Sequence, residues 1–213
     1  MNPQWPEADV EIARLRGLKG RSLTDQSVLR THQESGARLY TLAEQRPDAA
    51  LQLLEREYAA LRAGEGDISI SGALVGGLVK ARHRQAVPLI SRMLLDQSAR
   101  GLREDLAEDL GALGDPTAGP ALVNALSDEE SWVKAKAARS LGLLGYKPAI
   151  EWLLQLLHDE SGDVRASAAN ALGRLKAREA IPILAEIVKN DDDEVVRGAA
   201  GNAIQQLRES GNG

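Results

Sequence analysis

The sequence predicts an all-helical solenoid of stacked hairpins, and three observations carry that prediction. The first is a repeat. WVKAKAARSLGLLG (Trp132 to Gly145), DVRASAANALGRLK (Asp163 to Lys176) and VVRGAAGNAIQQL (Val195 to Leu207) each show a Val, a basic residue, a run of small residues and a closing Leu. Their anchors Val133, Val164 and Val196 stand 31 and 32 residues apart, and equal steps back reach Leu102 (LREDLAEDLGALGD) and Ile70 (ISGALVGGLVKA). The second is composition: among 213 residues there is no Phe and only 3% aromatics, while Ala, Leu and Gly abound. Such a core suits close-packed helices better than a β-sandwich, which leans on β-branched and aromatic residues. The third is periodicity. Val164, Ala168, Ala171, Leu172 and Leu175 fall on one helical face, as do Ile181, Leu184, Ile187 and Val188.

Taken in order, Ala8 to Leu18 reads as a short amphipathic helix and Thr24 to Glu34 as a second. Gly36 to Gln45 and Pro47 to Arg62 read as a further hairpin, with Leu39, Tyr40, Leu42, Leu51, Leu54, Tyr58 and Leu61 inside. Residues 1–65 are thus expected to be capping helices and a degenerate repeat, because solenoid ends need an atypical outer face. The Ala63 to Asp67 stretch, AGEGD, reads as the most flexible link. Residues 66–208 are expected to hold the regular repeats, each a first helix, a polar loop, a second helix and a tight turn. The first helices are AVPLISRMLL from Ala86, GPALVNAL from Gly119, AIEWLLQLL from Ala149 and AIPILAEIV from Ala180. Pro88 and Pro182 sit in first turns, where a missing N–H costs nothing. Asp128, Asp159 and the Asp191 to Asp193 run are expected as N-caps; Gly114, Gly145 and Gly162 mark turns. Residues 209–213 read as a frayed tail.

Composition excludes several function classes. Hydrophobic residues make up 43% and charged residues 27%, enough for a buried core. With no Cys, disulfide scaffolds, thiolate metal sites and cysteine nucleophiles are absent. No apolar run approaches the roughly 20 residues that span a bilayer, and the first residues lack a basic signal-peptide region, so no membrane association and a cytoplasmic location are expected. A net charge of −5 argues against nucleic acid as the partner.

The stretch DESGDVRASAANALGRL, from Asp159 to Leu175, resembles the consensus of HEAT-like repeats of the short phycobilisome-lyase type. The resemblance covers residues 66 to 208 and implies a right-handed α-solenoid of five or six such hairpins, with the second helices lining a concave face. It also implies a polar ladder between the loop Asp and the basic residue after Val: Asp159 with Arg165, Asp128 with Lys134 and Asp191 with Arg197, all six apart. At Arg103 the nearest preceding acid, Asp96, is seven back, which is expected to weaken the ladder there.

Catalytic chemistry finds no support. His32, His83 and His158 are far apart, and the acids beside His158 belong to the loop pattern. The His-Glu dipeptides that hold di-iron in deoxyhypusine hydroxylase, a HEAT-like enzyme, do not occur. Gly76-Gly77 lacks the Gly-Lys-Ser/Thr of a phosphate loop, no GxSxG is present, and Asp191 to Asp193 lacks calcium-loop spacing. No catalytic residue, metal or cofactor is expected. Binding is. Counting the anchor as position one, positions 3, 7 and 10 of the second helices are expected on the concave face: Glu104, Glu108 and Gly111; Ala135, Arg139 and Gly142; Ala166, Asn170 and Gly173; Gly198, Asn202 and Gln205. That surface would run from acidic to neutral amides. Trp132 is a candidate exposed anchor, Trp152 reads as core or outer-ridge packing, and Tyr146 as a turn residue open to solvent. The expected function is a protein-binding scaffold, with another protein as partner. The resemblance keeps open a bilin lyase subunit or bilin chaperone of the E/F type, and an immunity-type inhibitor of a toxin.

Overall fold

The computed structural model describes residues 5–22 and 24–209; of the expected frayed tail, 210–213 lie outside the described residues. Among those residues there are twelve α-helices and no strand. They are α1 (Pro6–Gly17), α2 (Gln26–Gln45), α3 (Pro47–Arg62), α4 (Ile68–Lys80), α5 (Val87–Leu94), α6 (Arg103–Leu113), α7 (Gly119–Ala125), α8 (Ser131–Leu144), α9 (Ile150–Leu156), α10 (Gly162–Arg174), α11 (Ile181–Asn190) and α12 (Glu194–Glu209). The chain forms two compact units, Met1–Leu102 and Arg103–Gly213.

In the first unit α1 packs on α2, α2 on α4 and α3 on α4. The two helices expected over 24–45 are one, α2, because burial of Val28, Ser35, Leu39 and Ala43 along one stripe outweighs the cost of Gly36 in mid-helix. Gly77 lets α4 approach α2 closely: a Cβ there would stand 2.4 Å from that of Ala43. The AGEGD link is pinned, not loose. The amides of Glu65 and Gly66 both donate to the Ala60 carbonyl, and Gly66 lies against the Leu61 backbone. Buried Glu57 accepts two hydrogen bonds from Arg16, at 3.0 and 2.9 Å, tying α3 to α1.

In the second unit the second helices pack in sequence, α6 on α8, α8 on α10 and α10 on α12, with α7, α9 and α11 paired to α8, α10 and α12. Position 10 sets the approach. A Cβ on Gly111 would lie 2.4 Å from Ser140 Oγ, on Gly142 2.8 Å from Ala171 Cα, and on Gly173 3.1 Å from Ala203 Cα. These glycines, with buried Ala135 and Ala166, are therefore packing positions between repeats and not the open surface expected of them. Their repeats turn at left-handed residues, Gly114 (φ 67°) and Gly145 (φ 65°). Lys176 takes the same conformation (φ 59°) in the next repeat, whereas Gly162 opens α10.

The ladder exists with a shifted register. Arg165 donates through Nε and Nη2 to the two carboxylate oxygens of Asp191, both at 2.9 Å, and through Nη1 to the carbonyls of Asp159 (2.9 Å) and Glu160 (3.1 Å). Lys134 likewise donates to the Asp159 carboxylate, and Arg103 lies 3.3 Å from that of Asp128. Arg103, Lys134 and Arg165 thus reach the loop acid of the following repeat, and of the expected pairs six apart Arg165 and Arg197 keep a contact, to the carbonyls of Asp159 and Asp191. The geometry has a local cause. Asp128, Asp159 and Asp191 each accept the amide two residues on, at 2.9 to 3.0 Å, closing an Asx turn in the loop instead of capping the helix. Asp193 alone of these acids binds an amide at a helix start, Val195 N at 2.8 Å. Arg103, where a weak rung was expected, is buried; Asp96 accepts from Tyr58 Oη at 2.7 Å instead.

Candidate functional site

On α8 and α10, where positions 3 and 10 are committed to packing, the exposed ridge comes from positions 0, 4, 7 and 11. On α8 these are Trp132, Lys136, Arg139 and Leu143, spread over about 16 Å at 1.5 Å per residue. On α10 they are Asp163, Ser167, Asn170 and Arg174; on α12, Val195, Asn202 and Gln206 are exposed, whereas Ala199 is buried and Gly198 and Gln205 are exposed instead. Three large apolar side chains stand out: Val195 is 69% exposed, Trp132 57% and Leu143 50%. None is required by the core. Asn170 on α10 and Asn202 on α12 are exposed.

Charge on this face differs from expectation. Glu108 accepts from Lys136 Nζ at 2.5 Å and lies 3.5 Å from Arg139, while Glu104 is 3.9 Å from Lys136. Two carboxylates face two cations, so this part of the surface is locally balanced and not acidic. The Lys136 hydrogen bond holds the Glu108 carboxyl below its usual range. Asp109, one residue on, behaves in the opposite way: burial, then Asp105 and Glu108, push it up to about 7. Lys136 and Leu143 are not among the residues expected from positions 3, 7 and 10 or from Trp132. A helical wheel centred on Trp132 would have found both, since spacings of 4, 7 and 11 share one face.

The other candidates lie apart. Trp152 is 44% exposed, on α9 and not in the core. Tyr146 is half-buried, its ring over Gly119, where a Cβ would stand 2.3 Å away. His32 pairs with Ser69 Oγ at 3.2 Å, His83 is buried 3.5 Å from Asp48, and His158 is exposed in the α9–α10 loop. Among the described residues no group of three or more His, Asp or Glu is placed to hold a metal, and no helix is long and apolar enough to cross a membrane.

With this geometry in place, the family comparisons are consistent. Residues 119–205 match the family described as HEAT repeats, and residues 102–128 match the PBS lyase HEAT-like repeat. Residues 102–205 are therefore HEAT-like repeats. No curated protein matches the chain in sequence. Among solved structures, it is similar to a chain in the complex of CpcE and CpcF of phycocyanin lyase from Nostoc sp. PCC7120, with 24% identity and a TM-score of 0.57 over 98% of this chain and 68% of that one. Two engineered proteins are similar as well. One gives 18% identity and a TM-score of 0.57 over 94% of this chain and 97% of its own; the other gives 19% and 0.58 over 94% and 58%. At these identities the likeness establishes the fold.

Proposed function

We propose that the chain is a protein-binding scaffold whose second unit holds its partner on the exposed ridges of α8, α10 and α12. The observation that carries this reading is the pair Trp132 and Leu143, two large apolar side chains left in solvent on one line of α8 with Arg139 between them. A rigid ring and an Arg flanked by small polar residues have the composition of an interface hot spot. The stacked helices preorganise that surface, so binding orders little backbone. The test is capture from the source cell with wild type and the double variant Trp132→Ala/Arg139→Glu. Loss of one discrete partner with an unchanged helical signal supports the reading, and Lys189→Glu on α11 is the control that should change nothing. Equal recovery by all three overturns it.

The lyase-type repeat at 102–128 and the likeness to the phycocyanin lyase chain favour a second reading, in which the chain is a subunit of a bilin lyase or a bilin chaperone. That reading expects a visible absorbance shift when bilin is added, weakened by Trp132→Ala. An immunity-type role against a basic toxin finds less support, because Glu104 and Glu108 are matched by Lys136 and Arg139.

A further inference from the structure

Asn170 and Asn202 occupy the same place, position 7, on α10 and α12 that Arg139 occupies on α8. All three are exposed. Because α8 and α10 are each followed by a further repeat, exposure belongs to the position and not to the end of the stack. Both Asn stand in mid-helix, where the alanines around them are better helix formers. Neither carboxamide has a hydrogen-bond partner among the described residues. Each offers an acceptor oxygen and two N–H donors side by side. One turn on, at position 11, α8 and α10 carry Leu143, which is 50% exposed, and Arg174. The Arg174 stem lies over α8, where a Cβ on Gly142 would stand 3.4 Å from its Cδ. Among the described residues its guanidinium has no carboxylate partner.

Spacing and charge select the occupant. Successive second helices touch at Gly142 and Gly173, so the position-7 row steps by about the 8–10 Å of packed helices. A chain in the polyproline II conformation has three residues per turn and a rise of about 3.1 Å, so every third residue returns to the same side about 9 Å further on. Its backbone N–H and C=O groups are free, whereas a helical partner has spent them internally. We infer that the row Arg139, Asn170 and Asn202 binds an extended peptide segment of a partner. The segment runs across the helices, and the two carboxamides pair with its backbone at residues three apart. The same step separates Leu143 from Arg174. The segment therefore carries an apolar side chain over Leu143 and, three residues along, a carboxylate that answers the unpaired charge of Arg174. This inference rests on the reading of the ridges as a partner surface and specifies the chemistry of that partner.

The probe is a displayed library of random peptides, each about nine residues long to span three steps of the row, selected on the full chain. Enriched sequences should share an apolar residue with Asp or Glu three positions away, and a synthetic copy should bind without gaining helical signal. Asn170→Ala/Asn202→Ala should weaken that peptide at least about tenfold in fluorescence anisotropy, with the circular dichroism of the chain intact, since alanine is the better helix former. The same selection on Arg174→Glu should replace the acid by Lys or Arg. A wild-type selection that enriches nothing, or peptides that bind as helices, overturns the inference. So does indifference to the Asn pair, or a preference for acid that survives Arg174→Glu. Capture from the source cell separates this inference from the reading beneath it. If no peptide is enriched but Trp132→Ala/Arg139→Glu still loses its cellular partner, the extended segment falls and the binding ridge stands. If both experiments are negative, both fall.

Discussion

Replacing Arg165 with Ala removes the best-made rung of the ladder. The guanidinium makes two hydrogen bonds to Asp191 and two to loop carbonyls, with side-chain exposures of 13% and 8% for the pair. Asp192 lies 3.4 Å away but is 96% exposed, so it adds little. Removing one partner of a fully buried pair costs about 3–5 kcal/mol. Here residual solvation lowers that cost, and the Asp193 amide still serves Asp191, so about 2–4 kcal/mol is expected. For a chain of this size each kcal/mol moves the midpoint by roughly 2–4 °C. Thermal and urea unfolding should therefore show Tm falling by about 5–12 °C. Asp191→Asn and the double variant complete a cycle whose coupling should exceed about 1 kcal/mol. The hydrogen bond from Arg165 holds the Asp191 carboxyl below its ordinary 3.8. With the folded value depressed, its contribution is present above about pH 4 and is lost as pH falls through the folded value. The gap between wild type and Arg165→Ala should accordingly narrow in acid to what the two carbonyl hydrogen bonds contribute. A midpoint unchanged at neutral pH, or a gap that does not narrow at low pH, refutes the reasoning.

Three further outcomes follow from the same geometry. Burial, with Asp105 and Glu108, raises Asp109 to about 7, so its protonated form favours folding and that contribution disappears as pH rises through 7. Asp109→Asn should raise stability at pH 8 by on the order of 1–3 kcal/mol and flatten the pH profile between 5 and 8, as read by denaturant titration at each pH. Gly142→Ala should destabilise by about 1–3 kcal/mol because its Cβ would press on Ala171, whereas Gly198→Ala, facing open space, should stabilise by about 0.5–1 kcal/mol; Tm orders the two. Tyr58→Phe should cost about 1–2 kcal/mol by removing the 2.7 Å bond to Asp96, visible as a shift in urea midpoint at constant slope.

The repeat period, the all-helical class and which segments after residue 66 become helices were legible in the sequence because they depend on local matters. Apolar spacing, prolines in first turns and glycines after last turns act within one hairpin. Even so, α2 runs through Gly36, since burial against α4 outweighs a local propensity. The face of the second helices was only partly legible. A small residue reads alike whether it opens a surface or admits a neighbouring backbone, so Gly111, Gly142 and Gly173 were placed outside when they are packed inside. The ladder acids were named correctly but paired within their own repeat. A spacing of six residues is local, whereas the partner of each cation lies one repeat away, reachable only once the hairpins stack. The same holds for charge on the binding face: Glu108 is acidic in sequence and balanced in space, because Lys136 and Arg139 arrive from the next helix. Identity and periodicity were therefore determined by the chain itself. Which side chains meet was decided by the stacking, since contacts between repeats depend on distances that no single repeat contains.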